Sequence, residues 1–289
     1  MKSKIATFFV VLFFIAGLGV FNYPVISTLY NQLHEGTVMA SYDEKVAQME
    51  QEELDALYKQ AQDYNRKIAE EGPTVQDAFE QGETVEDELY DQTLNMEGSG
   101  VMGSIEIPKI HVFLPIYHGT SPDVLEVGVG HLQGSSLPVG GDTTHSILTG
   151  HRGLPSAELF TNLDQLEEGD IFYIHILRKT LAYKISNIET ILPEEVENLI
   201  IEEGKDLITL VTCTPYGINS HRLLLHAERT VYEEPEQEIN TAEARSQNLW
   251  KWLLEQKSFL ISAAVLVLLL LYLILSFIRN IIKKGKTEK

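Results

Sequence analysis

The chain has very few thiols: Cys213 is its one cysteine among 289 residues. A single cysteine excludes an intramolecular disulfide, the bond that stabilises many exported proteins. An unpaired thiol is either a small apolar residue of the core or a reactive group. Cys213 closes a β-branched run, Thr209-Leu210-Val211-Thr212, and its place at the end of a predicted strand favours the reactive interpretation without deciding it.

Positive charge is also scarce, with 22 Lys and Arg against 42 Asp and Glu and a net charge of -20. This balance argues against nucleic acid or anionic lipid as a partner, because both need a basic face. The chain has no His, Cys and carboxylate cluster with zinc spacing, no internal repeats and no long Pro-rich or Gly-rich linker. The hydrophobic content of 44% is enough for one packed domain.

Long apolar runs lie at both ends of the chain. Lys2 and Lys4 precede an apolar run from Ile5 to Tyr23, which predicts a secretory signal or an uncleaved membrane anchor. Residues 259–278 are almost uniformly apolar and long enough to cross a ~30 Å hydrocarbon core as a helix. The basic tail that follows predicts a cytoplasmic C-terminus. The segment between the two runs is therefore expected outside the cell, with both termini cytoplasmic if the N-terminal run is retained.

One amphipathic helix is predicted from Tyr42 to Ala69, because apolar residues recur there every three or four positions. Gly72-Pro73 is expected to end it, since the residue before a proline avoids helical geometry. An acidic segment without periodicity, Thr74 to Asn95, follows and is predicted to be a loop.

After Gly98 the chain changes to short β-rich runs separated by Pro and Gly, which is typical of a barrel or a sandwich. The predicted strands are Val101–Ile107, Val112–Tyr117, Ser146–Thr149, Ile171–Ile176, Leu181–Ile191, Leu207–Thr212 and Arg222–Arg229.

A nucleophilic cysteine needs a proton-transfer partner and a group that stabilises the oxyanion. Arg222 begins the strand after the Cys213 strand, so antiparallel pairing would bring these two residues together. His151 follows an apolar strand and a glycine, which predicts a side chain at a strand end. Spacing alone does not select it, because seven other histidines compete: His111, His118, His131, His145, His175, His221 and His226.

These motifs together resemble the sortases, cysteine transpeptidases of Gram-positive bacteria. The resemblance rests on the Thr209–Cys213 run, Arg222 nine positions later, and Thr149-Gly150-His151 upstream. The wider runs 128–141, 151–156 and 213–219 resemble the pilus-assembling branch, class C, as does the C-terminal apolar helix. The fold implied is mainly β, an eight-stranded β-barrel with short helices, preceded by a helical extension and followed by a transmembrane helix.

The resemblance also implies the roles of the three residues. Cys213 would attack the Thr-Gly carbonyl of an LPXTG-type sorting signal, and His151 would act as general acid and then as base. Arg222 would hold the substrate or its oxyanion. In the pilus branch, the acceptor is the lysine amine of a pilin, and no cofactor takes part.

Class C enzymes often carry a lid with an Asp-Pro-aromatic tripeptide over the catalytic groove. The matching position here is Asp77-Ala78-Phe79, with alanine where the family usually has proline. We expect Asp77 to approach Arg222 or the cysteine, and Phe79 to cover His151. Losing the proline should make the lid less preorganised. An ordinary acidic loop is the alternative.

The predicted organisation is an anchor or signal at 1–24, a helical extension with the lid at 25–97, and the catalytic barrel at 98–231. A juxtamembrane segment at 232–257 then leads to the transmembrane helix and basic tail at 258–289. Two other functions stay open. One is a housekeeping sortase that uses a peptidoglycan precursor amine as acceptor. The other is a non-enzymatic membrane scaffold with a buried, inert Cys213.

Overall fold

The structure, a computed structural model, describes residues 2–79, 87–232, 253–254, 256–257, 259–269 and 272. The chain divides into two compact units, one formed by residues 1–29 and 237–289, the other by residues 30–236. The predicted basic tail lies outside the described residues, as do most of the juxtamembrane segment and the end of the C-terminal apolar run.

The described residues of the first unit lie mostly in apolar helices. Helix α1 runs from Lys2 to Gln48, and its part from Val11 onward is long and apolar enough to cross a membrane. A shorter apolar helix covers Phe259–Leu269. The hydroxyl of Ser262 donates a hydrogen bond of 2.6 Å to the Asn22 side chain. The described part of the C-terminal run is thus helical.

The second unit is built on a closed β-barrel of eight strands, in the order β1-β2-β3-β4-β7-β8-β6-β5. The strands are β1 (Val101–Ile107), β2 (Val112–His118), β3 (Val129–His131), β4 (Thr144–Thr149), β5 (Ile171–Ile176), β6 (Lys179–Ile191), β7 (Asp206–Thr214) and β8 (His221–Thr230). The pairs β2–β3 and β4–β7 are parallel, and the other pairs are antiparallel. Closure leaves none of these strands with an unpaired edge.

Side chains of each strand alternate between the barrel interior and its outer face. In β7, Ile208 and Leu210 belong to the interior core, whereas Val211 packs in a smaller apolar cluster on the outer face. That cluster includes Val75 and Ala78 from the segment after the second helix. β7 is therefore rich in apolar residues on both of its faces, because both faces are covered.

Helix α2 (Gln51–Glu71) packs its apolar side against the barrel unit. Its buried Asn65 accepts a bond of 2.7 Å from the main-chain nitrogen of Leu137 and donates one of 3.0 Å to the oxygen of the same residue. Helix α2 ends at Glu71, and Gly72 caps it with a positive φ of 84°, a conformation that glycine adopts without strain. The predicted stop at Gly72-Pro73 is confirmed.

The prediction of one helix from Tyr42 to Ala69 is wrong, because the chain breaks between Gln48 and Gln51. Arg178 donates to the main-chain oxygens of Val46, Ala47 and Met49, which satisfies the last carbonyls of α1. Glu50 is extended and starts α2. The break depends on an arginine far away in the sequence, so local periodicity could not reveal it.

The seven predicted strands are confirmed, with ends that move by one or two residues. β3 was missed because a strand of three residues, Val129–His131, is too short to show alternation. The described part of the unit also contains two short α-helices, α3 (Glu88–Gln92) and α4 (Pro122–Leu125), and four 3-10 helices at Met96–Gly98, Pro108–Ile110, Leu163–Gln165 and Pro193–Asn198. The prediction of a loop from Thr74 to Asn95 is wrong at α3, because Asp87 accepts two main-chain bonds and caps a helix there.

Candidate active site

Three neighbouring strands bring the candidate residues to one end of the barrel. In the antiparallel pair β7–β8, Cys213 lies directly opposite Arg222. In the parallel pair β4–β7, Thr149 lies opposite Val211. Continuing that register by two residues brings His151 beside Cys213, and neighbouring strands are about 4.8 Å apart. Cys213 therefore lies between His151 on one side and Arg222 on the other.

Two hydrogen bonds fix the end of β4 against β7. The nitrogen of Gly150 donates to the oxygen of Val211 at 3.1 Å, and the Thr212 hydroxyl donates to the oxygen of Gly150 at 2.7 Å. A β-carbon on Gly150 would lie 2.7 Å from the Phe160 ring, so the close approach of the core requires glycine here. This packing positions His151 at the point where β4 ends.

The segment after α2 crosses the site and covers it. Arg222 donates from Nε to Oδ1 of Asp77 at 2.7 Å and from Nη2 to Oδ2 at 2.5 Å. Both side chains are almost fully buried, at 6% and 3% exposure. Such a two-bonded pair is the strong geometry for arginine and a carboxylate. In this arrangement, the guanidinium is occupied by Asp77.

The Phe79 ring lies over the side chains of His151 and Arg222. Its ring centroid is 5.3 Å from that of His151, and the Arg222 guanidinium carbon is 5.0 Å from the same ring. We name residues Gly72–Phe79 the lid segment. Its start is tied to the barrel unit by a bond of 3.2 Å from the nitrogen of Thr74 to the oxygen of Gly134.

The electrostatics of the covered site favour neutral groups. Burial raises the pKa of the Cys213 thiol above its ordinary value of 9.0; Arg222 lowers this pKa, and Asp77 raises it. Burial lowers the pKa of His151 below 6.5, while Glu126 acts in the opposite direction. At neutral pH, the closed site therefore holds a protonated thiol and an uncharged imidazole.

The structure places most of the competing histidines in other hydrogen-bond networks. The ring of His131 contacts the Tyr90 hydroxyl, and that of His145 contacts Thr209. His175 and His226 each contact a glutamate, and His118 contacts main-chain oxygens. His221 bonds to the neighbouring Ser220, and His111 occupies a tight turn with φ 55°. His151 is the histidine that the β4–β7 register brings to Cys213.

Arg152 is a residue of the site to which no role could be assigned from sequence. It donates to the Thr214 hydroxyl at 3.2 Å, forms an ion pair with Asp164 and lies 5.9 Å from the Tyr216 ring centroid. These contacts hold the turn that follows Cys213. The signal in the sequence was its place directly after His151, but the partners are 12 to 64 positions away and only folding shows them.

A thiol that pairs with an arginine on the next strand, with an imidazole just beyond the end of the other neighbouring strand, is the arrangement of a cysteine-dependent acyl-transfer protein. The comparisons agree with this class. The model of the family described as "Sortase domain" matches residues 105–230. The matched region includes His151, Cys213 and Arg222.

Solved structures give the widest match. A sortase C from Streptococcus pneumoniae is 43% identical, with a TM-score of 0.64 over 69% of this chain and 99% of that one. Sortase C-1 from Actinomyces oris is 46% identical, with a TM-score of 0.59 over 62% and 99%. The chain belongs to the sortase family, and these structural neighbours are class C sortases.

Curated relatives match over a shorter region. Sortase A from Streptococcus agalactiae is 32% identical over 131 residues, which are 44% of this chain and 52% of that protein. The chain spans about half the length of this relative.

Proposed function

We propose that this chain is a membrane-anchored cysteine transpeptidase of the pilus-assembling branch. It cleaves LPXTG-type sorting signals between Thr and Gly and joins the acyl group to the lysine amine of a pilin. The observation that carries the proposal is the pairing of Cys213 on β7 with Arg222 on β8, with His151 two residues beyond the end of β4, the other neighbour of β7. The similar Streptococcus pneumoniae structure bears on pilin substrate specificity, which supports the same branch.

The first half-reaction makes a thioester. The Cys213 thiolate attacks the threonine carbonyl carbon, and the peptide bond to glycine breaks as the S–C bond forms. His151, protonated, gives its proton to the departing glycine nitrogen. Arg222 supplies permanently charged donors for the oxyanion that develops on the threonine oxygen.

The second half-reaction reverses these roles. The neutral pilin lysine amine attacks the thioester carbon and loses a proton to His151. The C–S bond breaks, Cys213 leaves as thiolate and an isopeptide bond remains.

The lid segment sets when this chemistry begins. While Asp77 occupies Arg222 and Phe79 covers His151, the oxyanion donor is engaged and the thiol is protonated. Movement of the segment frees the guanidinium and removes both the burial and the carboxylate that raise the thiol pKa. Cys213 then becomes easier to ionise.

The apolar helix from Val11 onward supports a location at the plasma membrane. We propose that the barrel faces the cell exterior, where sorting signals and pilins are exported, and that the basic C-terminal tail is cytoplasmic.

Mass spectrometry of the full-length protein in detergent tests the reaction. The protein is incubated with an LPXTG peptide alone, with a lysine-bearing pilin, and with pilin plus an amine that mimics the peptidoglycan precursor. We expect an acyl adduct on Cys213 that pilin lysine resolves into a conjugate, and no adduct with Cys213→Ala. Conjugates formed only with the precursor mimic would indicate the wall-anchoring function. The absence of an adduct, even when Asp77→Ala releases the lid segment, would contradict the proposed transpeptidase activity.

A further inference from the structure

The hydroxyl of Thr149, the last residue of β4, is an unusual feature of the site. Thr149 is fully buried, and within the described residues its hydroxyl oxygen has no hydrogen-bond partner. Buried hydroxyls in proteins are nearly always paired, because an unpaired one gives up its bonds to water without replacement. The closed site therefore contains a polar group that its own fold does not satisfy.

The strand geometry shows which way this side chain faces. The α-carbon hydrogen of Gly150 faces the Phe160 ring of the interior core, so the preceding residue, Thr149, faces outward. Thr149 pairs with Val211, which belongs to the same outer apolar cluster as Val75 and Ala78 of the lid segment. Its hydroxyl thus lies under the lid segment, on the same face as Cys213.

Ser146, on the same strand, provides an internal comparison. It is also buried, and its hydroxyl also lacks a partner among the described residues. Ser146 pairs with Ile208 of the interior core, so it faces the opposite side of the strand. The two unpaired hydroxyls therefore differ in their access to substrate. Movement of the lid segment would uncover Thr149 and leave Ser146 enclosed.

We propose that Thr149 is a substrate-binding residue whose hydroxyl pairs with the main chain of the sorting peptide after the lid segment leaves. This inference rests on the proposed function and adds a residue to its site. Thr149 precedes His151 by two residues, about 6.6 Å along a strand, which is the reach of two residues of an extended peptide. A threonine hydroxyl both donates and accepts, so it can pair with either main-chain group of the peptide.

The neighbours of Thr149 make this single hydroxyl informative. Ile147 and Val211 beside it are apolar, so the uncovered face presents one fixed polar group on an otherwise apolar surface. Such sites bind through apolar contact and are oriented by a few polar groups. Thr149 would therefore fix the register of the peptide, so that the scissile carbonyl faces Cys213.

The test compares three variants in the full-length protein: Thr149→Val, Thr149→Ser and Ser146→Ala. Each is made in the wild type and in an Asp77→Ala background, where the lid segment no longer limits access. Unfolding in urea reports stability, and cleavage of an LPXTG peptide gives kcat and KM. We expect Thr149→Val to lower kcat/KM about tenfold in both backgrounds, with no loss of stability, because only a hydroxyl without a partner is removed.

Two controls separate binding from structure. Thr149→Ser keeps the hydroxyl and should stay within about threefold of the parent, whereas Ser146→Ala should leave kcat/KM unchanged. Wild-type kcat/KM in Thr149→Val, or an equal loss in Ser146→Ala, would overturn the role of Thr149 while leaving the proposed function intact. Failure of the wild type and of Asp77→Ala to cleave the peptide would overturn both.

Discussion

Replacing Asp77 by alanine should activate the resting enzyme. The substitution removes both hydrogen bonds to Arg222, which join two side chains that are almost fully buried. Bonds to charged groups contribute about 1.5–3 kcal/mol each, but opening the lid segment lets water replace them. We therefore take about 1.5–3 kcal/mol for the pair as a whole.

This free energy corresponds to a population shift of the lid segment. Because 1.4 kcal/mol is a factor of ten, the open population should rise about 10-fold to 100-fold as long as the closed form dominates. The thiol pKa should fall in the same variant, since Asp77 raises it. Both effects increase the amount of accessible thiolate.

Alkylation of Cys213 by iodoacetamide, followed by intact-protein mass spectrometry, measures this directly. The modification rate and the peptide cleavage rate should rise together in Asp77→Ala. Asp63→Ala is a matched control, because Asp63 pairs with Arg66 at 2.9 Å on the exposed side of α2. An Asp77→Ala protein that stays folded and is alkylated at the wild-type rate would refute the lid mechanism.

Three further predictions concern catalysis and stability. Cys213→Ala and His151→Ala should abolish peptide cleavage with folding intact, and Arg222→Lys should lose about 100-fold in kcat/KM because the planar fork is lost; turnover near the wild-type rate in any of them would show a wrong role. Burial lowers the pKa of His131 to about 3, below its ordinary 6.5, so the unfolded chain takes up a proton that the folded one does not. The resulting contribution to the free energy of unfolding is present above pH 6.5 and is lost on acidification, by about 2 kcal/mol between pH 7 and pH 5 in urea unfolding. His131→Gln should flatten the pH dependence of stability, and an unchanged slope in this variant would contradict the prediction. Arg178→Ala should destabilise the fold by about 1–3 kcal/mol in the same assay, because three main-chain oxygens lose their donor; an unchanged free energy of unfolding would count against this cap.

The closed lid segment also affects the reactivity of the Cys213 thiol. A neutral thiol with raised pKa reacts slowly with oxidants and alkylating agents, so the closed lid segment should protect Cys213 from these reagents. Under the proposed function, the contacts that delay catalysis also preserve the nucleophile.

Much of the barrel is determined by local sequence. Seven strands could be predicted because β-branched runs alternate with Pro and Gly, and the Cys213–Arg222 pair followed from one short connection between consecutive strands. These strand and turn patterns can be recognised from sequence because each depends only on residues close together in the chain. β3 escaped prediction because three residues carry too little pattern.

The site itself was decided by tertiary structure. The β4–β7 register selects His151 among nine histidines, and β4 and β7 are parallel neighbours separated by more than 50 residues of chain. The Asp77–Arg222 pair joins residues 145 positions apart, and within the described residues the buried hydroxyl of Thr149 has no hydrogen-bond partner. The sequence by itself determined which residue types and strands are available; which side chains meet, and which are left unsatisfied, depended on contacts that no local pattern encodes.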